Sequence, residues 1–174
     1  EIIVAGDVVK AYVTGIEKRG SRIKVFLSRS HPGMLRRLME INIPELRSGA
    51  IEIKGIARDL GQRAKVAVSS NRSNIDPVGV CVGVKGIRID VIVRELDDER
   101  IDVIKWSPDM AQFIANSAKP AKIDQIDIDE EDKEATLFAD RDNIALAIGK
   151  KGQNVRLISK LTGYRISIER VEDM

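Results

Sequence analysis

Two short segments with the pattern Gly-x-x-Gly, at residues 83–86 and 149–152, combine residue types suited to binding phosphate. Glycine has no Cβ, so a turn framed by two glycines lets another backbone approach closely. Where such a turn opens a helix, free N–H groups of the first helical turn attract negative charge. Lysine and arginine in the turn and on the next helix add long-range attraction. The residues expected to contact or admit phosphate are Gly83, Val84, Lys85, Gly86, Arg88, Gly149, Lys150, Lys151, Gly152, Gln153 and Arg156.

The two segments belong to an internal repeat. Residues 76–86 align with residues 142–152 at an offset of 66, with the aspartates and both glycine pairs coinciding. After a one-residue deletion the match continues, and Leu96 aligns with Leu161. A single glycine pair between helices is usually only turn geometry. Its recurrence in the same context, each time followed by basic residues, favours a shared binding function.

The elements that must position these segments follow the same order in each copy. Alternating apolar residues predict two β-hairpins, with strands at residues 51–56 and 65–68 and at residues 123–128 and 134–138. A candidate helix precedes each hairpin, at residues 34–39 and 109–117, and a last strand closes each copy, at residues 101–104 and 165–168. The predicted order is therefore α-β-β-α-α-β, twice, which is an α+β fold.

A short apolar helix is predicted before each Gly-x-x-Gly turn. Asp76 is the expected N-cap of the first helix, with Pro77 at the first helical position, and Asp142 is the expected N-cap of the second. Each helix should end at the first glycine of its turn. Apolar residues at helical spacing predict another helix directly after each turn. Each turn is thus expected to lie between two adjacent helices.

This arrangement resembles the type II (bacterial) KH domain. In that family the Gly-x-x-Gly loop grips the backbone of about four nucleotides of single-stranded RNA. Two such domains in tandem, preceded by the sequence LSRSHPG at residues 27–33, are similar to the NusA family of transcription elongation and termination factors. The resemblance implies a first KH domain at residues 31–106 and a second at residues 107–174. Four apolar residues beside the loops either floor a base-binding groove or belong to the core: Val78, Val82, Ile144 and Ile148.

The resemblance also implies that residues 1–30 are the C-terminal part of an OB-fold barrel. Its strands are expected at residues 6–13 and 23–28. Thirty residues cannot close a five-stranded barrel. The chain begins at Glu1 rather than Met, so we expect a fragment whose missing segments engage RNA polymerase.

The function implied by the resemblance is binding of nascent, single-stranded RNA across both loops, which regulates pausing, termination and antitermination. We expect a cytoplasmic monomer without a cofactor. Val84 stands where a basic or small residue is expected, so the first loop should bind more weakly than the second.

One alternative to this function is that of a ribosomal or RNA-processing protein that combines KH and OB modules. Another is a protein-docking scaffold, whose RNA binding would be weak and insensitive to salt.

The composition and the remaining reactive residues exclude other function classes. With 3% aromatic residues, stacking on aromatic platforms is not the main means of binding nucleic acid. One cysteine and one histidine cannot form an internal disulfide or a Cys/His zinc site. Cys81 lies on an apolar helix face and is expected to be a core thiol rather than a nucleophile activated by His31. Residues 127–131 resemble the start of an EF-hand loop, but Asp132 stands where glycine is required. No run of apolar residues approaches the roughly 20 that span a bilayer. We expect the protein to have no catalytic activity.

Overall fold

An N-terminal hairpin precedes two copies of one α/β unit in the computed structural model, which describes residues 1–171. The hairpin consists of β1 (Tyr12–Arg19) and β2 (Arg22–Ser28). The first unit contains α1 (Pro32–Asn42), α2 (Pro44–Arg47), β3 (Ile51–Asp59), β4 (Arg63–Ser70), α3 (Pro77–Val82), α4 (Ile87–Glu95) and β5 (Arg100–Lys105). The second contains α5 (Met110–Ser117), β6 (Gln125–Asp129), β7 (Glu134–Ala139), α6 (Arg141–Ile148), α7 (Gln153–Thr162) and β8 (Arg165–Arg170). The predicted order α-β-β-α-α-β is confirmed in both units, with α2 as an addition in the first.

Each unit has a three-stranded mixed sheet. The strand orders are β3-β4-β5 and β6-β7-β8. The central strand runs antiparallel to its hairpin partner and parallel to the last strand. A parallel neighbour requires a crossover, and the two adjacent helices with their Gly-x-x-Gly turn supply it. Because the two sheets have the same strand order and directions, the Gly-x-x-Gly turn has the same place in both units.

The core of the first unit lies between its helices and one face of its sheet. Leu35, Ile92 and Val66 are buried there, from α1, α4 and β4 respectively. Cys81 on α3 belongs to the same core and is fully buried. Burial raises the pKa of its thiol to about 12. Cys81 is thus confirmed as a core thiol.

The helix N-caps confirm one prediction and correct another. The Asp76 carboxylate accepts a hydrogen bond from the backbone N–H of Val78 at 3.2 Å, as expected for an N-cap. In the second unit the N-cap is Asp140, which accepts from the N–H of Asn143 at 2.8 Å, so the prediction of Asp142 is wrong. The N-cap differs because the two helices differ in length. Both end at the loop glycine, but α6 has 8 residues and α3 has 6, so α6 begins further from its loop.

The N-terminal hairpin differs from its prediction. Residues 6–11 form no strand, and β1 runs from Tyr12 to Arg19. The hairpin turn at Gly20, with φ +63°, sets the register and pairs Tyr12 with Ser28. The predicted strand at residues 6–13 is therefore wrong, whereas the strand expected at residues 23–28 lies within β2. A two-stranded hairpin is common to many folds, so the OB-fold assignment stays a prediction.

The second unit packs on the face of the first sheet that the first unit's own helices leave free. Phe113 of α5 and Leu161 of α7 contact an apolar cluster that includes Ala67 and Ile104. A Cβ built on Gly55 of β3 would lie 3.3 Å from the Cδ1 atom of Leu161, so α7 approaches the sheet closely there. Six consecutive residues at the start of β4 are buried because this strand is covered on both faces.

Lys65 of β4 lies in this interface, and we expect it to affect how stability depends on pH. Burial lowers the pKa of Lys65 from the ordinary 10.5 to about 8, although Asp102 opposes the shift. Between these pH values the unfolded chain holds a proton at Lys65 that the folded chain has lost, so Lys65 makes the free energy of unfolding rise with pH. This contribution amounts to about 3 kcal/mol across the window and is absent in Lys65→Met, whereas the buried Cys81 thiol opposes the rise above pH 9 equally in both proteins. Urea unfolding of both proteins from pH 7.5 to 10.5 measures this difference, and equal slopes would contradict it.

Candidate nucleic-acid interface

The two Gly-x-x-Gly turns have the same backbone conformation. The first glycines, Gly83 and Gly149, have φ, ψ of 78°, 170° and 73°, 171°. The second glycines, Gly86 and Gly152, are left-handed, with φ, ψ of 80°, 6° and 71°, 18°. In each turn the N–H of the second glycine donates to the carbonyl of the first at 3.1 Å. The repeat found in the sequence is therefore also a repeat of loop geometry.

Each loop folds tightly against the start of the helix that follows it. A Cβ built on Gly149 would lie 2.8 Å from the Cβ and 2.9 Å from the backbone N of Asn154. A Cβ built on Gly83 would lie 2.8 Å from the Cγ of Arg88. Close packing within the protein therefore requires glycine at the first position of each loop, whatever the loop binds.

Arg88 and Asn154 occupy equivalent positions after the two loops and perform the same structural task. Arg88 Nη1 donates to the Val80 carbonyl at 3.1 Å, and Asn154 Nδ2 donates to the Leu146 carbonyl at 3.2 Å. Each bond joins the helix before the loop to the helix after it. Arg88 also pairs with Glu45 at 2.9 Å and is only one-third exposed. Of the predicted phosphate contacts, Arg88 is therefore engaged inside the first unit.

The charges around the two loops differ. In the second loop Lys150 and Lys151 are exposed, and Arg156 Nη1 donates to the Lys151 carbonyl at 2.5 Å, which holds its guanidinium against the loop. In the first loop Lys85 is exposed, and Val84 is 81% exposed. The second loop therefore presents more positive charge than the first.

Asp90 strengthens this difference, and sequence reasoning missed it. Its carboxylate lies beside Gly86, at 3.6 Å from a built Cβ, in the place that the Arg156 guanidinium takes beside Gly152. The signal was present, because the offset of 66 aligns Asp90 with Arg156. A carboxylate beside the first loop offsets the charge of Lys85.

The second loop lies close to the first unit. Gln153 Nε2 donates to Asp59 Oδ2, at the end of β3, at 2.8 Å. Gln153, predicted to bind phosphate, therefore connects the two units. Of the four apolar residues considered for a groove, Ile148 is 39% exposed, whereas the other three are half-buried.

Other reactive residues serve the fold. His31 caps α1, where its Nδ1 atom accepts from the N–H of Gly33 at 2.9 Å, and its ring stacks on Tyr12 with centroids 4.6 Å apart. Among residues 1–171, no group of three or more His, Cys, Asp and Glu side chains is placed to hold a metal ion. Over the same residues, we find no helix with the length and apolar character needed to span a bilayer.

Comparison with known families decides what kind of protein carries these loops. Residues 29–106 match the NusA-like first KH domain, and residues 110–174 match the NusA-like second KH domain. The chain belongs to the NusA family. Its two α/β units are tandem KH domains, as the order of elements and the loops predicted.

Curated relatives agree with this assignment. The transcription termination/antitermination protein NusA of Bacillus subtilis is 44% identical over 167 residues, which are 96% of this chain and 45% of that protein. The NusA protein of Thermus thermophilus is also 44% identical over 167 residues, 96% of this chain and 43% of that protein. These names describe transcription factors rather than enzymes. The chain spans less than half the length of these relatives.

A solved structure shows the same fold at lower similarity. The crystal structure of APE1850 aligns with a TM-score of 0.55 and 23% sequence identity, covering 77% of this chain and 96% of that one. At this level of identity the likeness concerns the fold alone.

Proposed function

We propose that this chain binds one extended strand of single-stranded RNA across both Gly-x-x-Gly loops. The observation that carries the proposal is the repeated loop geometry, in which each pair of glycines opens a helix and the second loop is flanked by Lys150, Lys151 and Arg156. Helix N-termini and lysines attract phosphate. The two glycines of each loop lack a Cβ and so leave room for the RNA backbone to approach.

The two loops contribute unequally in this proposal. Lys150, Lys151 and Arg156 supply most of the attraction for phosphate at the second loop. The first loop binds through Lys85 and through the glycines that let the backbone approach, with Asp90 reducing its attraction for phosphate. Arg88 and Gln153 hold the loops in place rather than contacting RNA.

The proposal is tested by measuring the affinity of an RNA of about ten nucleotides by fluorescence anisotropy at two salt concentrations. Lys150→Asp with Lys151→Asp should weaken binding roughly ten- to hundredfold and reduce the salt dependence, because phosphate contacts release counterions. The matched control is Lys18→Asp with Arg22→Asp on the N-terminal hairpin. It makes the same change in net charge at two exposed positions on a hairpin that is part of neither loop.

The control separates a local contact from the overall charge. We expect the control variant to lose less than threefold in affinity, since distant surface charges are screened by salt. Equal losses in both variants would show that net charge alone attracts RNA. Unchanged binding in the loop variant would place RNA elsewhere, and weak, salt-independent binding by the unaltered protein would favour a docking scaffold.

The family suggests the process in which this binding takes place. The curated relatives are named transcription termination/antitermination proteins. We propose that the chain acts in the cytoplasm as a monomer on nascent RNA, and that segments outside it contact RNA polymerase. We also propose the division into an OB-fold end at residues 1–30, a first KH domain at 31–106 and a second at 107–174.

A further inference from the structure

Three charged side chains form a buried cluster at the interface between the KH domains. Lys65 and Arg63 lie on β4, and Asp102 lies on the neighbouring strand β5. Lys65 Nζ is 3.2 Å and Arg63 Nε is 2.7 Å from Asp102 Oδ2. The exposed fractions of the three side chains are 0% for Lys65, 10% for Arg63 and 13% for Asp102. We call these three residues the interdomain cluster.

The interdomain cluster reaches across to the second KH domain. Lys65 Nζ donates to the carbonyl of Lys119 at 2.8 Å, and Arg63 Nη2 donates to the same carbonyl at 3.3 Å. The preceding carbonyl, of Ala118, accepts from Asn154 Nδ2 at 3.1 Å. Asn154 is the residue against which Gly149 of the second loop packs. A short run of bonds therefore connects the sheet of the first domain to the second loop.

The repeat provides an internal comparison. Lys65 is paired with Asp102 across the strands of the first sheet, and the equivalent pair in the second sheet is Thr136 with Ser167. Ser167 is exposed, and Thr136 is half-buried. The charged pair thus occurs in the sheet that another domain covers, and uncharged residues take its place in the other sheet.

Overall stability does not explain why charges are buried here. Desolvation makes a buried ion pair no more stabilising than well-packed apolar side chains in many proteins. Hydrogen bonds nevertheless require their partners at a fixed distance and angle. Apolar contacts such as those of Phe113 and Leu161 are non-directional and tolerate small shifts. The cluster therefore adds orientation to an interface that also contains these apolar contacts and the hydrogen bond from Gln153 to Asp59.

We propose that Arg63, Lys65 and Asp102 are positioning residues for RNA binding, which fix the distance and orientation between the two Gly-x-x-Gly loops. This inference rests on the proposed function. A strand held by one loop meets the second loop at a high effective concentration only when the two are correctly placed. Loosening the cluster lowers the affinity for RNA that spans both loops and spares RNA that fits one loop.

The test replaces the charged pair with the residues that the second sheet carries, as Lys65→Thr with Asp102→Ser. The change leaves the net charge of the protein unaltered. We expect RNA of about ten nucleotides to bind about tenfold more weakly. RNA of about four nucleotides, the length that one loop grips, should change by less than about twofold in an NMR titration. A second variant, Lys65→Met, keeps Asp102 paired with Arg63 and should give the same pattern, with weaker binding of the long RNA and unchanged binding of the short RNA.

The matched control is Arg37→Gln with Glu40→Gln, which removes an ion pair from α1 in the first domain without changing the net charge. It should leave both affinities unchanged. Equal weakening of long and short RNA by the cluster variants would overturn the proposal, because the cluster would then act on one loop. Unchanged binding of the long RNA in both variants would also overturn it.

A measurement without RNA separates this inference from the proposed function. Spin labels on Arg36→Cys and Glu130→Cys report the distance between the domains, and the thiol of Cys81 is buried away from the label. The cluster variants should broaden the distance distribution or shift its mean. An unaltered distribution would overturn the positioning role even if RNA binds as proposed. If the protein binds long RNA no better than short RNA, the two-loop proposal fails, and broadening would still support the orienting role.

Discussion

Replacing Gly149 with alanine is expected to lower the free energy of unfolding by about 3 kcal/mol. With φ, ψ of 73°, 171°, this residue occupies a region that is essentially restricted to glycine. The new Cβ would also meet the backbone N of Asn154 at 2.9 Å, which cannot move without the first turn of α7. Urea unfolding measures the loss of stability, and RNA titration should show weaker binding because the second loop is displaced.

Gly152→Ala is the matched control in the same loop. With φ, ψ of 71°, 18°, Gly152 is left-handed, a conformation that costs other residues about 1–2 kcal/mol. The nearest atom to its built Cβ is Arg156 Nη1 at 3.4 Å, the end of a flexible side chain. We expect a loss of about 1 kcal/mol. Equal losses at both glycines would refute the argument that close approach to α7 makes the first glycine the more critical one.

Glu99→Ala should destabilise the first KH domain by about 3–5 kcal/mol. The Glu99 side chain is fully buried, and it accepts from Arg58 Nε at 2.6 Å and from the N–H of Gly61 at 2.7 Å. Alanine removes both acceptors and leaves the guanidinium of Arg58, 8% exposed, without its buried counter-charge. The pair also joins the β3–β4 turn to the start of β5. The free energy of unfolding in urea provides the measurement.

An exposed ion pair provides the comparison for Glu99. Glu17 and Arg19 lie 3.3 Å apart on β1, with side chains 47% and 84% exposed. Glu17→Ala should change the free energy of unfolding by less than about 0.5 kcal/mol, because exposed pairs contribute little. If Glu99→Ala were as mild as Glu17→Ala, water or another group would have to satisfy Arg58 in the variant.

Sequence patterns alone predicted the repeated order of elements and the position of both loops. These features depend on local properties, because apolar periodicity fixes the type of an element and glycine permits a turn that other residues resist. The ends of elements were predicted less well. Asp140 rather than Asp142 caps α6, since two neighbouring aspartates compete for one cap and the length of the helix decides between them. The start of β1 depended on the register of the hairpin.

The sequence also indicated that the second loop carries more charge, through Lys150 and Lys151. The aligned difference between Asp90 and Arg156 was equally visible, but it gained meaning only when the structure placed both side chains beside the loop glycines. Their contribution to RNA binding stays a prediction that the lysine variants test.

The tertiary structure alone decided which polar residues are already engaged inside the protein. Arg88 is held by Glu45, and Gln153 is held by Asp59, which is 94 residues away in the chain. No sequence pattern indicated a partner for Lys65, whereas the fold buries it between two domains against the carbonyl of Lys119. Local pattern fixes which residues share a helix or a strand. The partners of a charged or polar side chain depend on packing between distant elements, because hydrogen bonds and ion pairs act over a few ångströms in space.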